Sequence, residues 1–312
     1  MKVVGVVEYG GPEALRIFEV PEPHAGPGQV RIRVGAATVN PADTAVRNGA
    51  RAEAQKEFSP PYVPGMEAAG LLDEIGEGVT TDLVIGEQVM AIVVPRGSHG
   101  AYAEQVVVPI ESVARVPAGT SLVEAATLPM NGLTARLALD LLALRPGQTL
   151  AVTGAAGAFG GYVVQLANSE GLRVIADASP IDTALVRALG ADEVVDRGDD
   201  VADRVRAIVP DGVDGLADGA LLHAKALPAV RDGGAMATVR TFSDETERGI
   251  MIHPVWVREY AREQAKLDQL RRQVAAGVLT LRVARTFTPE NAGEAHRILE
   301  AGGTRGRLVI VF

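Results

Sequence analysis

Apolar and polar positions alternate along VRIRVGAATV (30–39). Two further apolar runs, GEQVMAIVV (86–94) and AYAEQVVVP (101–109), are bounded by turn residues at Pro95–Gly97 and Pro109. Period-two alternation and short valine-rich runs between Gly and Pro predict strands, so the chain up to Leu122 reads as a compact β-rich domain. From Leu122 the pattern changes. SLVEAATLPMNGLTARLALDLL reads as helix with one Pro interruption. Strands and helices then alternate: strand 149–153, helix 158–170, strand 173–177, helix 180–189, strand 193–196, helix 200–209, strand 213–218, helix 221–231 and strand 235–240. Such alternation predicts a parallel, doubly wound sheet with helices on both faces. The helix at 180–189 is punctuated by Ser179 as N-cap, Pro180 and Asp182 in its first turn and Gly190 past its end. After residue 240 the alternation stops. A charged helix (256–277), a strand (281–288), a short helix (291–303) and a last strand RLVIVF follow. This tail is expected to pack back onto the N-terminal β domain and not to form another βαβ unit.

Length and composition narrow the class. A chain of 312 residues, 47% hydrophobic, suits two globular α/β domains. There is no Cys, so disulfides, thiolate zinc sites and a cysteine nucleophile are excluded, which suits the cytoplasm. No apolar run reaches the ~18 residues of a membrane span, and MKVVGVVEYGG reads as a first strand and not a signal peptide. The net charge of −9 argues against general affinity for nucleic acid or an anionic membrane.

The candidate chemistry centres on LAVTGAAGAFGGY (150–162). A buried strand, a tight glycine turn and a helix opening onto it make a phosphate cradle: Gly154, Gly157 and Gly160 let backbone N–H groups approach an anion, and the helix N-terminus adds partial positive charge. Close helix–strand packing is the alternative use of such glycines. Other motifs are excluded. No Gly-Lys pair exists for a Walker A loop, and there is no GxSxG elbow or HExxH. A short-chain dehydrogenase needs glycine where Ala158 stands and a Tyr-x-x-x-Lys that no tyrosine here provides.

Eight blocks in order carry a resemblance: VNPADTAVRNG (39–49), PYVPGMEAAG (61–70), GEGV then GEQV (76–89), GAYAEQVVVP (100–109), LPMNGLTA (128–135), LRPGQTLAVTGAAGAFG (144–160), LGADEVVD (189–196) and AHRILEAGGTRGRLVIV (295–311). The chain resembles the zinc-independent medium-chain dehydrogenase/reductase superfamily, nearest the quinone oxidoreductase (zeta-crystallin-like) and enone reductase branch. The resemblance implies an α/β fold with a GroES-like domain (1–122 and 262–312) around a Rossmann domain (123–261). It also implies a cytoplasmic enzyme that transfers hydride from NAD(P)H to a quinone or α,β-unsaturated carbonyl. A dedicated enoyl reductase tailoring a polyketide-like metabolite and a non-catalytic cofactor-binding sensor or structural protein are the alternatives.

The resemblance also implies particular residues. Zinc-dependent relatives have Gly-His-Glu where this chain has Gly65-Met66-Glu67, and a Cys ligand within the block Pro41–Thr44, which has none. No zinc is therefore expected, and Glu67 is expected in an internal salt bridge to an Arg. The five His show no ligand spacing; only His99, in a Gly-rich turn, is held in reserve. Asn40 and Asp43 match positions lining the nicotinamide and substrate cleft, with an Asx turn around Pro41 as the alternative. Ala45 replaces a tyrosine of the nearest relatives. Thr134 resembles the Thr beside the nicotinamide, with a helix-interior hydroxyl as the alternative. The cofactor is assigned to Gly154, Ala155, Ala156, Gly157, Ala158, Phe159 and Gly160, with Asp177, Ser179 and Arg197 at the ribose end. Thr241, past the strand 235–240, marks the nicotinamide end. Arg305 and Arg307 resemble basic residues near the phosphates, the alternative being exposed Arg on a terminal strand. NADH is favoured over NADPH because Asp177 follows Gly160 by 17 residues, near the ~20-residue spacing of a ribose-binding carboxylate; Arg197 counts the other way. A homodimer is expected through ERGIMIHPV (247–255), which in relatives extends the sheet across a two-fold axis.

Overall fold

Residues 1–242 and 248–312 are described by the structure, a computed structural model. The chain divides into two units, residues 1–130, 261–275 and 281–312, and residues 131–260 and 276–280.

The first unit opens with β1 (Lys2–Gly5), β2 (Arg16–Glu19), β3 (Gln29–Thr38), β4 (Glu67–Ile75), β5 (Gln88–Ile92), β6 (Gln105–Pro109) and β7 (Val113–Arg115), with short helices α1 (Pro41–Arg47), α2 (Ala52–Gln55) and α3 (Leu122–Ala125). β3 is the hub. Val30, Ile32 and Val34 alternate inward with Arg31 and Arg33, and the strand then runs fully buried through Ala36, Ala37 and Thr38. β3 pairs antiparallel with both β4 and β6. At Gly70 a Cβ would stand 2.0 Å from the Arg33 carbonyl oxygen, so only glycine lets β4 approach there. Of the stretch 101–109, only β6 is strand. Ala101–Ala103 instead leads past β1, where the Val4 N–H donates to the Tyr102 carbonyl at 2.8 Å.

The second unit carries α4 (Pro129–Leu142, its first two residues belonging to the first unit), β8 (Thr149–Thr153), α5 (Ala158–Ser169), β9 (Arg173–Ala178), α6 (Thr183–Ala188), β10 (Glu193–Asp196), α7 (Val201–Ile208), β11 (Val213–Asp218), β12 (Val230–Thr238) and β13 (Met251–Pro254). All six strands are parallel, in the order β10-β9-β8-β11-β12-β13. Counted from β8 as the first, this is 3-2-1-4-5-6, the Rossmann order, and it reverses between β8 and β11.

Three local expectations are corrected. The helix expected at 221–231 is two short 3-10 turns, His223–Lys225 and Leu227–Ala229, and β12 begins at Val230. The Asp218 carboxylate captures the N–H groups of Leu222 (3.1 Å) and His223 (2.9 Å). Leu221 and His223 take positive φ (60° and 52°), and Pro228 has no N–H to give, so no α-helix propagates. Ser179 does not cap with its hydroxyl as acceptor. It donates to the Asp182 carboxylate, and the segment starts as a 3-10 turn, Pro180–Asp182. The tail, with α8 (Gln264–Ala275), β14 (Val283–Phe287), α9 (Ala292–Ala301) and β15 (Arg307–Val311), does form a βαβ unit, since β14 and β15 pair in parallel around α9. That unit extends the first sheet, because β15 pairs antiparallel with β3. Each unit has its own apolar core, one around Ile32, Leu72 and Tyr102, the other around Ile175, Leu216 and Met236. No helix among the described residues is long and apolar enough to cross a membrane.

Candidate functional site

In the second unit the glycine turn joins β8 to α5 at the strand-order reversal, where ligands of open parallel sheets bind. Gly154 has φ +68°, and a Cβ there would meet the Gly219 carbonyl carbon at 2.9 Å. At Gly160 a Cβ would stand 2.4 Å from the Gly154 carbonyl oxygen. These two glycines serve close packing of the turn. Gly157 differs. It is the N-cap of α5, makes no side-chain cap, and its absent Cβ faces only the Gly154 oxygen at 3.1 Å. The first N–H groups of a helix have no intrahelical partner, so this twelve-residue helix offers them, with its dipole, to an anion. Ala155, Ala156 and Phe159 are buried, whereas Ala158 is half-buried.

Asp177 lies at the end of β9, 4% exposed. Its Oδ1 accepts the Ala155 N–H at 3.1 Å. Burial raises its pKa, Asp218 adds to the rise, and the N–H groups of Ala155 and Gly154 and the Arg197 charge oppose it. The carboxylate expected to reach for a ribose thus also holds the glycine turn. Arg197 is exposed, Ser179 half-buried with its hydroxyl on Asp182, and Thr241 exposed beyond β12. Asp218, which sequence reasoning passed over, is in register with Thr153 of β8 and Thr238 of β12. It accepts the Thr153 hydroxyl at 2.6 Å. The Thr238 hydroxyl is fully buried at the C-terminal end of β12 without a hydrogen-bond partner. An acidic residue ending a parallel strand was the one signal that could have marked Asp218. Thr134 sits in α4, 7% exposed.

A second cluster lies within the first unit. Glu67, at the start of β4, is fully buried. Its Oε1 accepts Nη2 of Arg307 at 2.7 Å, Nδ2 of Asn40 at 3.2 Å and the Thr38 hydroxyl. Its Oε2 accepts the Met130 N–H at 2.7 Å, in the first turn of α4. Arg307 Nη2 also lies 2.7 Å from Thr38 Oγ1 and 2.6 Å from Asn40 Oδ1. The internal Glu67–Arg ion pair expected from the sequence is present. For Arg307 the alternative of an exposed residue on the last strand is corrected: it is 6% exposed inside the sheet, because β15 inserts beside β3 and turns it inward. Arg305 is half-buried, its Nη1 3.4 Å from the Thr304 carbonyl.

Asn40 and Asp43 belong to the same buried region. Both are fully buried, and the alternative of a turn around Pro41 is what forms: the Asn40 N–H donates to Asp43 Oδ2 at 2.8 Å at the start of α1. The Gly65 N–H donates to Asp43 Oδ1 at 2.9 Å, and the Tyr102 hydroxyl reaches Oδ2 at 3.4 Å. Burial pushes the Asp43 carboxyl up to about 6, with Glu67 adding to the rise and the two backbone donors and Arg307 opposing it. His99 binds the Val107 carbonyl with Nε2 at 2.6 Å. His296 is fully buried on α9.

Residues 26–118 match the family described as alcohol dehydrogenase GroES-like domain, and residues 189–310 match the zinc-binding dehydrogenase family. The chain is 32% identical to a 2-haloacrylate reductase of Burkholderia sp, over 97% of this chain and 96% of that protein. The chain belongs to the medium-chain dehydrogenase/reductase superfamily. Among solved structures it is similar to an NAD-dependent alcohol dehydrogenase (30% identity, TM-score 0.85, all of both chains). It is also similar to a mycobacterial protein complexed with NADPH (26%, 0.86, all of both chains) and to the quinone oxidoreductase of Coxiella burnetii (27%, 0.86, 100% and 99% of the two chains). As a superfamily member it has the GroES-like and Rossmann domains of an NAD(P)-dependent oxidoreductase. The glycine turn, the open N-terminus of α5 and the unpartnered Thr238 hydroxyl fit a dinucleotide along the C-terminal ends of the parallel strands. The donor set does not fit the zinc of its zinc-dependent relatives. Met66 offers a thioether in place of imidazole, the chain has no Cys, and Oε1 of Glu67 is already held by a guanidinium.

Proposed function

We propose that the protein is a zinc-independent NAD(P)H-dependent reductase of quinones or α,β-unsaturated carbonyls. The observation that carries this reading is the Arg307–Glu67 ion pair, which ties up with an internal cation the carboxylate of the block where zinc-dependent relatives keep their metal. Without a Lewis acid an unactivated alcohol is a poor substrate. A conjugated carbonyl accepts hydride more readily, because the electron pair delocalises onto oxygen. The 2-haloacrylate named for the 32% identical relative is an α,β-unsaturated acid, which supports the same class.

The dinucleotide, when bound, supplies the hydride. The N–H groups at Ala158–Gly160 would hold its pyrophosphate, and Asp177 and Asp218 keep the two flanking turns in place. Thr134, one turn into α4, is the hydroxyl assigned to the carbonyl or the ribose. Among the described residues no side chain stands out as a dedicated acid, so the proton of the resulting enolate is assigned to water. We infer a preference for NADH, since the Asp177 carboxylate beside Ala155 repels a 2′-phosphate; exposed Arg197 is the group that would favour NADPH. We also infer a homodimer. β13 is an edge strand with Met251 57% exposed, and its outer N–H and C=O groups suit pairing with a second copy. Glu247, at the start of that segment, lies outside the described residues.

The test is a screen of quinones, enones and simple alcohols followed at the nicotinamide absorbance, with both cofactors and with zinc analysis of the same preparation. Turnover of quinones or enones by metal-free protein is expected. Oxidation of simple alcohols that depends on stoichiometric zinc would overturn the proposal.

A further inference from the structure

Tyr102 and His296, 194 residues apart in sequence, meet inside the first unit. The phenol oxygen is 3.1 Å from His296 Nε2, and the rings stand edge to face with centroids 5.8 Å apart. On the other side of the imidazole, Nδ1 is 3.4 Å from Nη1 of Arg47, the last residue of α1. A guanidinium has donors only, so Nδ1 must accept. Burial and the Arg47 charge keep the imidazole neutral, its pKa held down to about 3. A neutral ring whose Nδ1 accepts carries its proton on Nε2. That N–H donates to the Tyr102 oxygen, and the single phenol hydrogen is left for Asp43 Oδ2, 3.4 Å away.

Arg47 is itself oriented. Its Nε donates to the Gly10 carbonyl at 3.1 Å, and its two terminal nitrogens grip the Glu300 carboxylate at 3.1 and 2.6 Å. At the other end, Asp43 takes the N–H groups of Asn40 and Gly65, with Arg307 favouring and Glu67 opposing its charge.

We propose that Arg47, acting through His296, fixes the direction of a hydrogen-bond chain that ends on Asp43, so that Arg47, His296 and Tyr102 are positioning residues for the two backbone segments Asp43 clamps. One segment opens α1 and carries Asn40. The other is the Gly65 turn (φ +107°), which leads directly into Met66 and Glu67. Asn40 and Glu67 are two of the three residues that grip Arg307 Nη2, so the chain sets the far side of that cluster. The inference rests on the fold of the first unit and not on the proposed reaction.

The test uses the full chain labelled with ¹⁵N-histidine, with long-range ¹H–¹⁵N spectra from pH 8 to 5 and His296 assigned by the His296→Gln variant. The expected pattern is the neutral Nε2–H tautomer throughout. An Nδ1–H tautomer, or a ring titrating near the ordinary imidazole value, would overturn the proposal from the wild-type spectrum alone. In uniformly ¹⁵N-labelled protein, the Gly65 amide resonance then reports the charge on Asp43. In Tyr102→Phe its pH midpoint should rise by about one unit, the value of one hydrogen bond to a charged group. An unmoved midpoint would remove Tyr102 from the chain.

Discussion

Two fully buried groups in the first unit respond to acid with opposite sign, and replacing Asp43 by Asn should expose the one that remains. Asp43 holds its proton up to about 6 in the folded state, against an ordinary 3.8. Its contribution to stability is complete below 3.8 and is lost as pH rises through about 6. His296 is held down to about 3, against an ordinary 6.5. Its contribution is complete above 6.5 and is lost as pH falls toward about 3. Each changes stability by about 1.4 kcal/mol per pH unit within its window. Between about pH 6 and 3.8 the windows overlap, and the two slopes offset each other in the wild type. Asp43→Asn removes the group that gains, so its stability relative to wild type should fall by about 1.4 kcal/mol per pH unit from pH 6 downward, reaching about 3 kcal/mol near pH 4. His296→Gln should show the reverse trend over the same range. The assay is urea unfolding followed by circular dichroism at pH 7, 6, 5 and 4. The fixed cost of each substitution appears at pH 7 and cancels in the slope. Stability curves for Asp43→Asn that run parallel to wild type across this range would refute the reasoning.

Arg307→Met should cost about 3–5 kcal/mol, because it leaves Glu67 buried without its cation; the double variant Arg307→Met, Glu67→Gln should recover most of that loss, and additive costs in the cycle completed by Glu67→Gln would contradict a coupled pair. Gly160→Ala, whose methyl would stand 2.4 Å from the Gly154 oxygen, should weaken dinucleotide affinity in a fluorescence titration at least about tenfold, or about 1.4 kcal/mol. Asp177→Ser should shift the kcat/KM ratio toward NADPH; a wild type already preferring NADPH about tenfold, or an unchanged ratio, would move the assignment to Arg197. Met251→Arg on the edge strand should give a monomer by light scattering at micromolar concentration, and a monomeric wild type would dismiss the dimer.

What the sequence showed and what it hid divide by distance along the chain. The strand–glycine–helix unit at 149–169 was legible because its cause is local: a short apolar run, glycines where side chains cannot fit, and an apolar helical continuation. The helix expected at 221–231 failed because a side chain, Asp218, took the N–H groups that a helix would have needed, and apolar periodicity carries no trace of that competition. The partner of Glu67 was foreseen as an Arg, but Arg307 stands 240 residues away, on a strand whose inward face only its pairing with β3 decides. Asp43 was found as a residue, but not as the clamp of two backbone segments. Its burial follows from Gly65 and Tyr102, neither near it in sequence. Asp177 was placed correctly at the end of its strand, yet that its carboxylate also turns back to Ala155 belongs to the folded turn alone.

The insertion of β15 beside β3 bears on the order in which the molecule can be made. The sheet of the second unit is drawn from one stretch, residues 149–254, and can close once that stretch has left the ribosome. The first unit cannot finish at that point. Its Glu67 has no cation until Arg307 is synthesised, and Tyr102 has no imidazole until His296 is. The earlier strands therefore wait, with polar groups in a half-built interior, while the parallel sheet encoded after them can already close. The strand that carries Arg307 is made after the strands it completes, and it seals what they started.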